Sequence, residues 1–312
     1  MKKQQLMDMN LQMFGTQTFT PDHVKLYEQP DGSIPKQYNQ LILKEIMANS
    51  KMMQLAKYEE MTGKEKEFQY FAEGPGAYWV NETEKIKTST AKWLTVKMVA
   101  KKVGVIILAS REYLEYERAQ FFNEMKPKIA EAFYKKIDAA TILNKENPFP
   151  QSIDQSAVLA SHLVQGDLTY DNILDLQDLL ADEDFEPNAF ISTRKNRKTL
   201  RGASKVIGNQ TEFIYDRTNN TIDGLPVVDL KAQPKGTLYT GDFDHMFYGI
   251  PYNMNYKISE EAQLSTIVNE DGTPVNLFEQ EMFAMRVTMD IGFMLVKDGA
   301  FGKIEPATTP EG

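Results

Sequence analysis

The chain has 312 residues, of which 42% are hydrophobic and 25% charged, and it carries a formal net charge of -9. This composition is typical of a globular protein with a hydrophobic core and excludes a disordered or fibrous chain. The negative charge argues against a dedicated nucleic-acid-binding protein. The sequence has no cysteine, which excludes disulfides, thiolate metal sites and cysteine nucleophiles. It also has no run of about 18 apolar residues, so no membrane span is expected.

Residues 1–36 are predicted to form an arm, because Pro21, Pro30 and Pro35 interrupt every possible element there. A disordered tail is the alternative, and the sequence leaves both open. A helix is predicted over residues 37–57, where apolar side chains recur at helical spacing.

Two strands are predicted next, over residues 67–72 and 92–108, where apolar and polar side chains alternate. The segment between them, residues 73–91, contains glycines and many charges, which predicts an extended hairpin. A two-stranded ribbon is only marginally stable alone. We therefore expect residues 73–91 to lie against another surface, with Trp79 supplying much of the buried apolar area.

The longest predicted element is a helix over residues 111–144, with a continuous apolar stripe at spacings of three and four residues. At about 1.5 Å per residue it would be on the order of 50 Å long. Pro127 lies inside it and is expected to bend it, because proline removes one backbone hydrogen bond. The two prolines at positions 148 and 150 are expected to end it.

Shorter elements follow and indicate a separate α/β unit. The predicted elements are a helix that Thr169 precedes and that ends at residue 180, a strand at 188–193, a basic helix at 195–204, a hairpin within 214–230 and further strands within 238–258. The last strand, over residues 285–295, places every second residue on one fully apolar face. It is predicted to pair with the early strands.

No nucleotide-binding, hydrolase or metalloprotease motif occurs, so we predict no catalytic residue, no cofactor and no metal. Residues 241–245 combine two aspartates with His245, but that spacing is unusual for a metal site and is interpreted as a solvated turn. The acidic run 182–184 is interpreted as solvated surface. The basic run 194–198 is interpreted as a solvated helix face or a contact with an acidic neighbour.

The order of these elements resembles the major capsid protein of tailed bacteriophages, the Hong Kong 97 type of shell subunit. The resemblance is strongest to capsid proteins of staphylococcal and related phages of Gram-positive hosts. It is carried by short segments spread along the chain: 75–80, 124–136, 188–192, 223–228, 241–243, 276–280 and 300–301.

This resemblance implies an α+β fold divided into the parts of that family. The implied parts are an N-terminal arm at 1–36, a helix and lead-in at 37–66, P-domain strands at 67–110 carrying the E-loop at 73–91, a spine helix at 111–147, an A-domain at 148–262, P-domain return strands at 263–298 and a C-terminal segment at 299–312 that lies at the A-domain. Tyr78, Trp79, Lys85 and Lys87 of the E-loop are then expected to contact a neighbouring subunit.

The implied function is structural, without enzymatic activity. Copies of the chain are expected to form pentamers and hexamers of an icosahedral shell, assembled in the bacterial cytoplasm and present in the virion. Scaffolding protein, portal and maturation protease are the expected partners. Double-stranded DNA is expected to be enclosed without sequence-specific binding, and no membrane is involved.

Residues 10–16 resemble a motif that a host cysteine protease trims from a ribosomal protein and from related phage capsid proteins. Carried over position by position, the cut falls between Gly15 and Thr16. The alternative is that residues 6–14 form an amphipathic turn that binds a scaffold or a neighbouring subunit.

Two other functions are weighed against the phage shell. One is an encapsulin-like compartment, which shares the fold and packages enzymes rather than a genome. The other is an unrelated soluble enzyme whose site the sequence does not display.

Overall fold

The computed structural model describes residues 36–73, 92–252, 254–269 and 272–307. Six α-helices occur in these ranges: α1 Lys36–Asn49, α2 Lys51–Leu55, α3 Arg111–Thr141, α4 Ile153–Leu159, α5 Tyr170–Ala181 and α6 Arg197–Leu200. Seventeen strands occur there as well: β1 Lys57–Tyr58, β2 Glu65–Glu73, β3 Lys92–Ser110, β4 Leu163–Gln165, β5 Ala189–Ser192, β6 Ser204–Ile207, β7 Gln210–Phe213, β8 Tyr215–Asp216, β9 Thr221–Ile222, β10 Leu225–Asp229, β11 Leu238–Gly241, β12 Met246–Gly249, β13 Asn255–Ser259, β14 Gln263–Val268, β15 Pro274–Asn276, β16 Met282–Leu295 and β17 Phe301–Glu305. The chain is thus of mixed α and β structure, as the sequence predicts.

The chain divides into two compact units. The described parts of Met1–Ile46, Val103–Ala132 and Asn253–Met289 form the first unit, and the described parts of Met47–Lys102, Phe133–Tyr252 and Asp290–Gly312 form the second.

The second unit contains a seven-stranded sheet in the order β4-β17-β11-β5-β10-β9-β8. Its central strand β5 pairs in parallel with β10 and antiparallel with β11. Helix α5 packs on this sheet because Ile173 and Leu176 are fully buried in one cluster with Phe190 and Ile304. Thr169 caps α5 by accepting a hydrogen bond from the backbone N–H of Asn172, so the predicted helix start is confirmed.

A second cluster of the same unit is rich in methionine. Met61, Met98 and Met294 are buried together, and a β-carbon on Gly292 would lie 2.7 Å from the sulfur of Met61. Flexible methionine side chains fill such irregular space well. This cluster anchors the inner end of β2 and β3, because the partly buried Phe68 packs against it.

The first unit has a smaller cluster in which Val275, Leu277 and Ala284 are buried. Strand β13 pairs antiparallel with β16 there, from Asn255 opposite Thr288 to Ser259 opposite Ala284. Strands β14 and β15 form a separate hairpin.

The fully apolar face predicted for the last strand is confirmed, but the predicted alternation in exposure is wrong for its second half, because Asp290, Gly292 and Met294 on the other face are buried too. Residues 285, 287, 289, 291, 293 and 295 of β16 are all at most 2% exposed. The strand pairs with β3 on one side and β12 on the other, so the predicted return to an early strand is also confirmed.

Three predicted helices differ from those observed. The helix predicted over 37–57 is interrupted at Ser50, whose backbone is extended, and residues 57–58 form a strand. The predicted basic helix 195–204 is reduced to a 3-10 turn followed by the four-residue α6. Helix α3 ends at Thr141 rather than near residue 144, because the chain turns and Asn144 adopts a left-handed backbone with φ 55°.

Helix α3 runs through Pro127 without ending. Its predicted apolar stripe is present in the part whose side chains are described, where Ile129, Phe133 and Ile137 are buried. The bend at Pro127 stays a prediction.

Candidate functional site

The residues predicted to contact a neighbour or to be cleaved lie outside the described residues. Tyr78, Trp79, Lys85 and Lys87 belong to 74–91, and Gly15 and Thr16 belong to 1–35. The described elements that flank these segments are α1, β2 and β3.

Strands β2 and β3 form the base of the predicted ribbon. They pair antiparallel from Glu65 opposite Val99 to Glu73 opposite Lys92, with an irregularity between Phe71 and Glu73. Strand β2 is the edge strand of its sheet, so among the described strands it pairs with β3 alone. The ion pair between Lys97 Nζ and Glu65 Oε2, at 2.8 Å, is half exposed and therefore contributes little stability.

Asp138 of helix α3 is the most deeply buried carboxylate among the described residues, and it is only 2% exposed. Ser50 Oγ donates to its Oδ1 at 2.7 Å, and the backbone N–H groups of Lys51 and Met52 donate to the carboxylate at 2.9 and 3.1 Å. The two backbone donors are free N–H groups at the start of α2, which every helix must satisfy. Burial raises the pKa of the Asp138 carboxyl, and the three hydrogen bonds oppose that shift. Asp138 thus fastens α2 to α3.

A second buried polar group lies beside the seven-stranded sheet. Lys303 Nζ contacts Asp154 Oδ1 at 3.0 Å and Glu305 Oε2 at 2.9 Å, and the Tyr239 hydroxyl donates to Asp154 at 2.9 Å. Burial alone would lower the pKa of Lys303, but its hydrogen bonds with Glu305 and Asp154 outweigh burial and raise it. Each group is matched by an opposite charge or a donor, which is the arrangement of a structural ion cluster rather than of a catalytic site.

The turn 241–245 is predicted to be solvated, and this is wrong for His245 and for Asp242, whose side chain is 19% exposed, whereas Asp244 is exposed. The side chain of His245 is only 17% exposed, with Nε2 3.4 Å from Asp242 Oδ2, and its ring meets Phe185 edge-on at 5.5 Å. Burial lowers the pKa of His245. Asp242 caps the turn by accepting from the backbone N–H of Asp244. The burial of His245 could not be predicted from the sequence, because Phe185, which covers the imidazole, is sixty positions away in the chain.

Among the described residues no group of three or more His, Cys, Asp or Glu side chains could hold a metal ion. No helix in the described ranges has the length and apolar character needed to cross a membrane.

A groove of about 770 Å³ lies where α2 and α3 meet the chain around Arg194 and Lys231. Asp138 and Asp229 also line it, together with the backbone stretch that follows β10. Sequence reasoning missed this groove because its cationic residues are far apart in the chain. The basic run 194–198 was its only visible signal.

Two short hairpins expose apolar side chains to an extent that is unusual for an isolated protein. In the second unit, Val206 on β6 and Phe213 on β7 are 71% and 59% exposed. In the first unit, Val268 on β14 and the nearby Phe278 are 57% and 74% exposed. A lone two-stranded hairpin is marginally stable, so these surfaces are suited to burial against other chains.

Comparison with known proteins identifies the family. The model of the phage capsid family matches residues 32–305. The major capsid protein of Staphylococcus phage 80alpha is 51% identical over 316 residues, covering 98% of this chain and 97% of that protein.

Solved structures agree with this fold at much lower sequence identity. A chain from Microbacterium phage Oxtober96 superposes with a TM-score of 0.68 at 20% identity, covering 82% of this chain and 91% of that one. A chain from Mycobacterium phage Adephagia gives 0.67 at 19% identity, covering 84% and 91%. The predicted Hong Kong 97 type fold and the resemblance to staphylococcal phage capsids are both confirmed. The chain belongs to the phage capsid family.

Proposed function

We propose that this protein is a major capsid protein that assembles with copies of itself into an icosahedral shell around a phage genome. The observation that carries this proposal is the 51% identity, over nearly the whole chain, to a phage major capsid protein. The same similarity favours a genome shell over an encapsulin-like compartment and over an unrelated enzyme. The protein is proposed to be purely structural.

The parts of the shell subunit are proposed to follow the family arrangement. Residues 73–91 form the E-loop, α3 lies in the spine helix of the P-domain, and residues 148–262 form the A-domain. Subunits gather into pentamers and hexamers. The exposed apolar hairpins at β6–β7 and β14–β15 support this proposal, because a shell gains its stability from many modest contacts between copies.

The remaining partners are proposed from the same family. A scaffolding protein and a portal guide assembly in the host cytoplasm, and the product is the capsid of the virion. Double-stranded DNA is proposed to be enclosed rather than bound tightly, because a chain with a net charge of -9 repels a polyanion on average. A separate motor is then proposed to drive packaging.

The contents of the particles test this function. Particles from infected cells should contain DNA that resists added nuclease while the shell is intact. Particles that instead hold a protein cargo and no protected DNA would favour the encapsulin-like alternative.

Cleavage by a maturation protease between Gly15 and Thr16 is a further proposal. The sequence predicts no helix or strand around residues 10–16, and a segment of that kind can enter a protease cleft as an extended strand. The intact mass of the protein from mature particles made in the native host tests it. A mass lacking residues 1–15 is expected, and a full-length mass would overturn the proposal.

A further inference from the structure

The groove beside β5 is a site of positive charge in an acidic protein. Lys51, Lys135, Arg194 and Lys231 line it, together with the carboxylates Asp138 and Asp229. Lys231 makes no ion pair within the part of the chain that the structure describes, and it is exposed.

Both carboxylates of the groove are already engaged. Asp138 accepts three hydrogen bonds from the start of α2. Asp229 Oδ2 accepts from Arg197 at 2.6 Å and from Arg194 at 3.2 Å. Arg194 is nonetheless 73% exposed. The groove therefore has exposed cationic side chains that a negatively charged group from another molecule would neutralise.

The opposite charge is concentrated at the end of helix α5. Asp182, Glu183, Asp184 and Glu186 are all exposed and follow the helix C-terminus, which itself carries partial negative charge. No basic residue lies in the last turn of α5. His162 Nε2 is 3.6 Å from Glu183, and Lys297 Nζ lies over the Phe185 ring at 5.3 Å. Four carboxylates at a helix C-terminus repel one another and the helix dipole, which destabilises the isolated subunit. Additional cations beside this acidic corner, residues 182–186, would reduce that repulsion.

The groove and the acidic corner lie at opposite ends of one strand. Just before β5, Asn188 donates its backbone N–H to Gly241 at 3.1 Å, and the acidic corner immediately precedes this point. Just after β5, the backbone N–H of Leu230 donates to Ser192 at 2.7 Å, and Lys231 follows. Because one end is basic and the other acidic, the two surfaces have the charges that a head-to-tail contact between copies requires. Such heterologous contacts close into rings when the rotation between copies permits it.

We propose that the basic groove of one subunit receives the acidic corner, residues 182–186, of the next subunit in the ring. This inference rests on the proposed shell function and adds the surface and the chemistry that join neighbouring subunits. It explains why a basic run persists in an acidic chain and why an acidic run stands at the unfavourable end of a helix.

Charge reversal tests the contact on the full-length chain. Lys231→Glu and Asp182→Lys should each raise the protein concentration needed for assembly by about tenfold, because each puts like charges together. The double variant should recover assembly towards the wild-type level. Lys235→Glu, in the same loop but outside the groove, and Asp175→Lys, two turns earlier on α5, are the matched controls and should assemble normally.

A stability measurement separates this contact from misfolding. Asp182→Lys should leave the melting temperature of the unassembled subunit unchanged or raise it, because a cation suits a helix C-terminus, while assembly weakens. Normal assembly by both single variants would overturn the contact, and so would a double variant no better than either single one. If Lys231→Glu assembles normally but binds less DNA, the groove serves nucleic acid instead. In each of these cases a wild-type chain that still forms shells keeps the proposed function intact.

Discussion

The buried side chain of Asp138 makes the stability of the folded chain depend on pH. Its carboxylate is buried and satisfies three donors at the start of α2. Removing it would leave those donors unsatisfied, so Asp138→Ala should lower the free energy of unfolding by about 2–3 kcal/mol. Because burial raises the pKa of Asp138 above its ordinary 3.8, the folded chain binds the proton more tightly than the unfolded chain does.

The sign of the pH effect follows from that difference. At a pH below the pKa of Asp138 in the unfolded chain, the carboxyl is protonated in both the folded and the unfolded state. Its burial then does not require the burial of a charge. As the pH rises through the folded pKa, the buried group ionises and stability is lost. The free energy of unfolding of the wild type, measured relative to Asp138→Asn by denaturant titration, should therefore fall as the pH rises above about 4. A constant difference across the acid range would contradict this assignment.

At the scale of elements, the contact between β11 and β17 leaves no space for a side chain at Gly241. A β-carbon there would lie 2.6 Å from the Phe301 ring and 2.5 Å from the backbone oxygen of Ala300. Because backbone cannot yield as a flexible side chain can, Gly241→Ala should cost about 1–3 kcal/mol. Gly63 has no atom within 4 Å of such a β-carbon, so Gly63→Ala is the matched control. Equal melting temperatures for the two variants would show that the sheet adapts.

The predicted ribbon is tested through Trp79. Replacing Trp79 with alanine removes the largest apolar side chain of residues 73–91 and should lower particle yield. The subunit should stay folded and soluble, because the base of the ribbon is held by Phe68 and the methionine cluster instead. Circular dichroism of the subunit and the yield of sedimenting particles are the two measurements. Unchanged assembly would remove the ribbon from the central role given to it.

Elements whose pattern is local could be predicted from the sequence, and those set by distant partners could not. Strand β16 could be predicted because every second residue in it is apolar. Helix α5 could be predicted because Thr169 is a typical N-cap residue before a segment with helical periodicity. The break at Ser50 could not be foreseen, because the group that stabilises the separate start of α2 is Asp138, 88 positions away.

The same limit explains the candidate sites. Trp79 and its neighbours could be proposed as contacts from residue type and position alone. The basic groove could not, because Lys51, Arg194 and Lys231 meet only when the sheet and helices are assembled. A run of four basic residues within 194–198 gave a signal, but the sequence alone left open whether it is a solvated helix face or contacts an acidic neighbour.

At the scale of the whole molecule, the net negative charge determines how strongly the subunit binds DNA. A chain with a net charge of -9 repels a polyanion on average. Purified subunits should bind DNA weakly, without sequence preference, and lose that binding as salt is raised. Gel-shift titrations at several salt concentrations measure this. Tight binding of DNA by the purified subunit at physiological salt would contradict the proposal that the shell encloses the genome without binding it specifically.

The central claim is that many copies of this chain close into a shell. Electron microscopy of the assembled protein tests it most directly. The account predicts closed particles of uniform size with icosahedral symmetry, in which the subunit density matches the Hong Kong 97 type fold. Only monomers or small oligomers, under conditions in which the chain is folded and scaffolding protein is supplied, would contradict it.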